Sequence, residues 1–285
     1  MLRGPWSSGV SEYLRAHDLH GLYLNHARGW TDQSVRFLES VPDLRLLSVI
    51  SGPIRDVSAI GDLTDLHTLN LSVHREEDLD LGRLDQLRKC FVSAGPGDVS
   101  VFQCPSLRYL YLDELRSAEW SGLSSLTNLE CLTIGNSSFC DLELLGHMTR
   151  LRKLVLLNCR QLASLRGLEQ LATLEWLTID GSARVSDISP LRQLRGLRIL
   201  QLNNVKDLPS LHSISELYGL ESLAFFGSTN IVDGDLGVIE KLPDLSLLGF
   251  AGRRHYSHVA LRKWNWSDFG RDQGPLLKPR HTRKR

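Results

Sequence analysis

The sequence has no run of about 18 uncharged apolar residues, so hydropathy gives it no transmembrane helix. Its opening, MLRGPWSSGV, lacks the basic segment and apolar core of a signal peptide, and a cytoplasmic location without membrane attachment is expected. Cysteine is scarce: five residues, an odd number without paired spacing, argue against a disulfide framework and fit small, mostly buried thiols in a reducing compartment. There is no phosphate loop, GxSxG elbow, HExxH helix or zinc-type cysteine pair. The histidines are scattered apart from RRHYSH, where His255 and His258 read as part of a solvated basic loop rather than as metal ligands. Cys131 has no histidine at an adjacent position to serve as its base. No enzyme activity, metal or cofactor is therefore expected. Net charge is also absent overall, yet residues 253–285 hold ten Lys/Arg against two Asp/Glu, +8, balanced by −8 in the rest of the chain.

What the sequence does have is a repeat. An L-x-x-L-x-L pattern starts at Leu19, Leu44, Leu66, Leu87, Leu107, Leu129, Leu151, Leu174, Leu197, Leu220 and Leu245, eleven units spaced 20 to 25 residues apart. A period in this range points to a stacked repeat architecture. The closing step of two belongs to a strand, whose alternate side chains point to opposite faces. The second half of most units steps by three, as at 185, 188, 191 and 194, which suits a 3₁₀-like return where residues three apart eclipse. Each unit has apolar residues on both limbs and can hide them only against its neighbours, so stacking is obligatory. The longer first and last units leave room for a fuller helical return.

This pattern resembles the leucine-rich-repeat family, and the Asp187–Leu197 phrase DISPLRQLRGL is similar to the short repeats of bacterial internalins and protein-phosphatase regulatory subunits. The resemblance implies an α/β class solenoid, a horseshoe with a concave parallel sheet of about eleven strands and a convex side of 3₁₀ and short helical segments. It implies a bacterial protein-binding scaffold acting as a monomer, as an inhibitor, immunity protein or regulatory subunit. The chain departs from the family at the ninth position of each unit, where an asparagine or cysteine ladder is usual: a cysteine stands there only at Cys159, with Gly52, His74 or Ser137 elsewhere.

Four segments follow. Residues 1–18, with Trp6, Val10, Tyr13 and Leu14, form an N-terminal cap, residues 19–252 the repeats, residues 253–274 a C-terminal cap, and residues 275–285 a loosely ordered basic tail. Trp264 and Trp266 serve either as part of the C-terminal plug or as a nucleic-acid stacking pair beside basic residues. The tail offers a second function, binding of nucleic acid or an anionic surface, against which stand the acidic remainder and the lack of a recognised nucleic-acid module.

The third, fifth and seventh residues of each unit should face away from the core. On that face Phe91, Tyr109, Tyr111, Val155, Leu157, Trp176 and Ile199 place large apolar groups among Asp113, Lys153 and Asp180, and these ten residues are the expected partner-binding surface. The second residue of six consecutive units alternates in sign, Arg108, Glu130, Arg152, Glu175, Arg198 and Glu221. That row is assigned to stacking register.

Overall fold

A computed structural model describes residues 1–75, 79–93, 98–114, 117–260 and 276–279. The L-x-x-L-x-L stretches become strands β1 (Gly21–Asn25), β2 (Leu46–Ile54), β3 (Thr68–Arg75), β4 (Lys89–Ser93), β5 (Tyr109–Asp113), β6 (Cys131–Gly135), β7 (Lys153–Leu157), β8 (Trp176–Asp180) and β9 (Ile199–Asn203). Two-residue β10 (Asp207–Leu208) precedes β11 (Ser222–Phe225), and two-residue β12 (Asn230–Ile231) precedes β13 (Leu247–Phe250). The eleven repeat strands make one sheet in chain order. Their register matches third position to third position, as in Lys89↔Tyr109, Lys153↔Trp176 and Trp176↔Ile199, all parallel. β10 and β12 form a separate parallel pair on the return limbs.

The chemistry of stacking is visible at each strand entry. The second-position carbonyl of one unit accepts two N–H groups from the next: Arg88 O from Arg108 and Tyr109 at 2.9 and 3.0 Å, and Glu175 O from Arg198 and Ile199 at 2.8 and 3.0 Å. The apolar positions of the inner repeats are sealed, with Leu66, Leu69 and Leu71 or Leu174, Leu177 and Ile179 all at 0% exposure, whereas Leu19 in the first repeat is 44% exposed.

The returns are 3₁₀ helices, among them Ser58–Asp62, Glu143–His147 and Ser189–Gln193. A short polar side chain opens them by accepting a backbone N–H two residues on, which satisfies a donor that the tight return leaves unpaired. Asp56 accepts from Ser58, Asp141 from Glu143, Asp187 from Ser189 and Asp235 from Gly237, at 3.1, 3.2, 2.8 and 2.8 Å. The fuller helical return expected in the end units is not found: Arg36–Ser40 and Gly237–Lys241 are five-residue 3₁₀ segments like those between them. Five-residue 3₁₀ turns already satisfy the spacing of three.

The chain forms two compact units, Met1–Leu132 and Thr133–Arg285. The first begins with helix α1 (Ser8–Ala16), which buries Ser11 and Leu14. Leu2 bridges Leu24 in parallel, extending the sheet past β1 by a single residue. Trp6 stacks on Phe37 with centroids 4.1 Å apart, and Asp32 accepts from the Trp6 backbone at 2.7 Å and the Trp30 indole at 3.0 Å. Tyr13, expected in this cap, is instead 58% exposed, because it projects from the solvent side of α1 and stacks on His17 one turn later.

In the second unit the exits of the strands share a left-handed residue at the eighth position. Asn136, Asn158, Gly181, Asn204 and Gly227 have φ between +45° and +74°. Their backbone N–H groups reach the seventh-position carbonyl of the following unit, Asn136 to Leu157 at 2.8 Å, Asn158 to Asp180 at 2.7 Å, Gly181 to Asn203 at 3.1 Å and Asn204 to Phe226 at 3.1 Å. Asparagine and glycine are the residues that visit this backbone region at least cost.

The second unit's last repeat is tied down by RRHYSH, and the expectation of a solvated loop is corrected. Arg253 donates to the carbonyls of Gly227, Ser228 and Thr229, and Tyr256 is 1% exposed with its hydroxyl accepting from Ile231 N–H at 3.0 Å. His255 bonds Ile231 O at 2.9 Å, and buried His258 lies 3.3 Å from Glu240, a carboxylate 18 residues upstream that the return limb brings alongside. Beyond it, β14 (His258–Ala260) pairs antiparallel with β15 (Leu277–Pro279), so three residues of the segment expected as a loose tail are paired. Leu261, Trp264, Trp266, Phe269 and the end of the basic tail lie outside the described residues. Among the described residues no helix is long and apolar enough to cross a membrane.

Candidate interaction surface

In the first unit the strand face is built from β1 to β5. Phe91 is 38% exposed, while Tyr109, Tyr111 and Asp113 are half-buried. Lys89 sets its ammonium 4.9 Å from the centre of the Tyr109 ring, the register partner on the next strand. The Tyr111 hydroxyl has its pKa raised by burial and then by the neighbouring Asp113 charge. Sequence reasoning placed Tyr23 on this face but not in the site. It is 45% exposed and, with Leu46, Leu47, Ser48, Thr68, Asn70 and Phe91, lines a depression of about 180 Å³. The signal was present in the fifth-position row, where Tyr23 and Phe91 flank the small Ser48 and Asn70.

In the second unit Lys153, Val155, Leu157, Trp176 and Asp180 are all half-buried on the outward face of β7 and β8. Lys153 Nζ lies 3.5 Å from the Trp176 ring centroid. The Trp176 indole donates to Thr178 Oγ1 at 2.9 Å, and that hydroxyl donates to Gln201 Oε1 at 3.0 Å. Asp180 accepts from the Asn204 side chain at 2.9 Å. Ile199 corrects the expectation of an exposed apolar group: it is 8% exposed. It sits between Trp176 and Ser222 in register, and with rows about 4.8 Å apart a large ring on the neighbouring strand leaves little room for solvent over it.

The charged second-position row lies beside these faces. Arg108 meets Glu130 at 3.1 Å in the first unit, and Arg152 meets Glu175 at 2.7 Å and Arg198 meets Glu221 at 2.5 Å in the second. The Glu221 carboxylate raises the Arg198 pKa through its hydrogen bond and its charge. Exposed pairs of this kind contribute about 0–1 kcal/mol each.

None of the five cysteines is in a disulfide. Cys104 donates to Leu81 O at 3.3 Å, and burial, followed by the Asp85 and Asp80 charges, pushes its pKa up to about 12. Such a thiol is a packing group, not a nucleophile. Cys159, in the ladder position, is likewise buried and donates to Ile134 O and Leu157 O at 3.7 and 3.6 Å. Among the described residues no group of three or more His, Cys, Asp or Glu side chains is placed to hold a metal ion.

No protein-family model matches the chain, and no curated protein is significantly similar to it. Solved structures are. An internalin, InlF, from Listeria monocytogenes superposes with a TM-score of 0.63 at 23% identity, covering 79% of this chain and 67% of its own. The functional domain of InlJ from the same organism, which includes a cysteine ladder, gives 0.58 at 22% identity over 81% of this chain and 49% of its own. A leucine-rich-repeat protein from Leptospira interrogans gives 0.57 at 19% identity over 90% of this chain and 59% of its own. The chain has the leucine-rich-repeat fold of these bacterial proteins.

Proposed function

We propose that this chain is a non-catalytic protein-binding scaffold that holds a macromolecular partner on its outward strand faces. It works as a monomer in the bacterial cytoplasm, as an inhibitor, immunity protein or regulatory subunit. The observation that carries this reading is the placement of Phe91, 38% exposed, and of half-buried Tyr109, Tyr111 and Trp176 on a face where small polar residues would satisfy the strand equally well. Aromatic anchors of this type dominate interface energetics, and their few rotatable bonds make them cheap to immobilise. The leucine-rich-repeat fold supports the reading by analogy alone. Five cysteines outside any disulfide, three of them buried, support a reducing compartment.

The reading is tested by affinity capture from native lysate with the wild type, Trp176→Glu and Tyr111→Ala side by side. Circular dichroism melts establish that both variants remain folded. Loss of a wild-type partner in both folded variants is expected; undiminished capture by both refutes the strand-face site.

A further inference from the structure

The depression between Tyr23 and Phe91 is too small for a cofactor-sized ligand. Its volume of about 180 Å³ falls below the roughly 300–1,000 Å³ of small-molecule pockets. It matches one inserted side chain. Two partly exposed rings wall it from β1 and β4, three strand spacings or roughly 14 Å apart by backbone. Its floor is Leu46, Ser48, Thr68 and Asn70, with Ser48 buried at 4% exposure.

The rim is where the chemistry of the occupant shows. Lys89 stands beside Thr68 in the β3–β4 register, two residues before Phe91 on the strand that walls the depression. Its ammonium rests near the Tyr109 ring, and among the described residues it makes no ion pair. The exposed arginines of the neighbouring row differ, since Arg108, Arg152 and Arg198 each have a glutamate. Asn70 Oδ1 accepts from Ser72 Oγ at 2.8 Å, which leaves the Asn70 amide nitrogen as a second donor at the floor. An apolar cup with aromatic walls, a donor at its floor and, on its β4 wall strand, a cation without an ion pair is complementary to an apolar side chain with an anion beside it in sequence.

Resting on the reading that the strand faces bind protein, we propose that this cup takes one large apolar side chain of the partner, flanked in the partner's sequence by Asp or Glu whose carboxylate pairs with Lys89. A chain-terminal carboxylate is the poorer fit, because termini are captured by clusters of free backbone N–H groups and the strand N–H groups here are committed to the sheet ladder.

The test is selection of a random-peptide display library on the full chain, followed by affinity measurements with synthetic versions of the selected sequences. Peptides pairing a large apolar residue with an adjacent Asp or Glu are expected. Their affinity should fall at least tenfold for Lys89→Glu and for Phe91→Ala, both verified as folded, and should survive Lys89→Arg. Tyr23→Ala gives a second reading of the cup should Phe91→Ala prove unstable. Selected peptides without an acidic neighbour, or ones indifferent to Lys89→Glu, overturn the proposal. If those peptides depend on Trp176 instead, the scaffold reading stands while this one fails. An empty selection overturns the proposal, and the lysate capture above then judges the scaffold reading separately. A fluorescein-labelled 20-nucleotide single strand that binds through Lys89 overturns it in favour of an anionic polymer.

Discussion

Lys153 and Trp176 face each other across the β7–β8 register with the ammonium 3.5 Å from the ring centroid, the tightest cation–aromatic contact described in the chain. One ring face is thereby covered by the protein's own lysine, and the indole N–H is fixed on Thr178. A ring held in this way is already oriented, which would lower the ordering cost of any contact made through it. A double-mutant cycle with Lys153→Met and Trp176→Leu, followed by urea unfolding, should give a coupling energy of about 0.5–1 kcal/mol. A coupling indistinguishable from zero would show that the pair does not hold the indole.

The left-handed row of the second unit makes a contrasting prediction. Gly181 has φ +74°, and a Cβ added there would come within 2.3 Å of Asn158 Oδ1. Gly181→Ala should cost at least the roughly 1–2 kcal/mol of a left-handed non-glycine residue, read as a lower urea midpoint. Asn158→Gly should be near neutral, since glycine keeps the conformation and the backbone bond to Asp180 O. Equal loss in both variants would show that the side chains, not the backbone angles, set the stability.

Asp56 has its pKa lowered, first by the Ser58 hydroxyl, then by the Ser58 backbone N–H, with Ser34 and Arg36 assisting against desolvation. A depressed carboxylate contributes stability that is fully present above its unfolded pKa, about 3.9, and is lost as pH falls through the lower folded value. Asp56→Asn should therefore unfold at lower urea than wild type at pH 7, with the gap closing progressively as pH falls below the unfolded value of about 3.9. A gap of constant size across that range would locate the effect in packing rather than in the charge.

The thiols should separate by burial. With a disulfide reagent at pH 8, exposed Cys140 reacts fastest and half-buried Cys131 more slowly, while Cys104, whose pKa is near 12, waits for unfolding. A Cys140→Ser variant should lose the fast phase. A fast phase that persists in that variant would mean that a cysteine described as covered is accessible.

The strands were legible because their code is redundant: every third-position residue from Gly21 to Leu247 starts or enters a strand as the L-x-x-L-x-L pattern requires. The caps of the returns were written just as plainly in Asp56-x-Ser58 and Asp187-x-Ser189, but they are polar, and a reading that tracks apolar spacing passes over them. The eighth-position Asn and Gly escaped for a related reason, since attention to the ninth-position ladder looked one residue too far. Ile199 was misjudged because exposure on a strand face depends on the size of the lateral neighbour, here Trp176, and not on the residue's own position in the motif. His258 was misjudged because Glu240 approaches it through the return limb, a contact between residues far apart in a non-repeating end.

The alternating row that joins Arg152 to Glu175 and Arg198 to Glu221 has a parity. Excising residues 174–196, one whole unit, preserves every leucine position yet sets Arg198 beside Arg152. Excising 174–219, two units, sets Glu221 beside Arg152 and restores an attractive pair. Removal of repeats from this part of the chain thus keeps opposite charges paired only in even numbers, so the electrostatic period is a doublet although the folding module is a single unit.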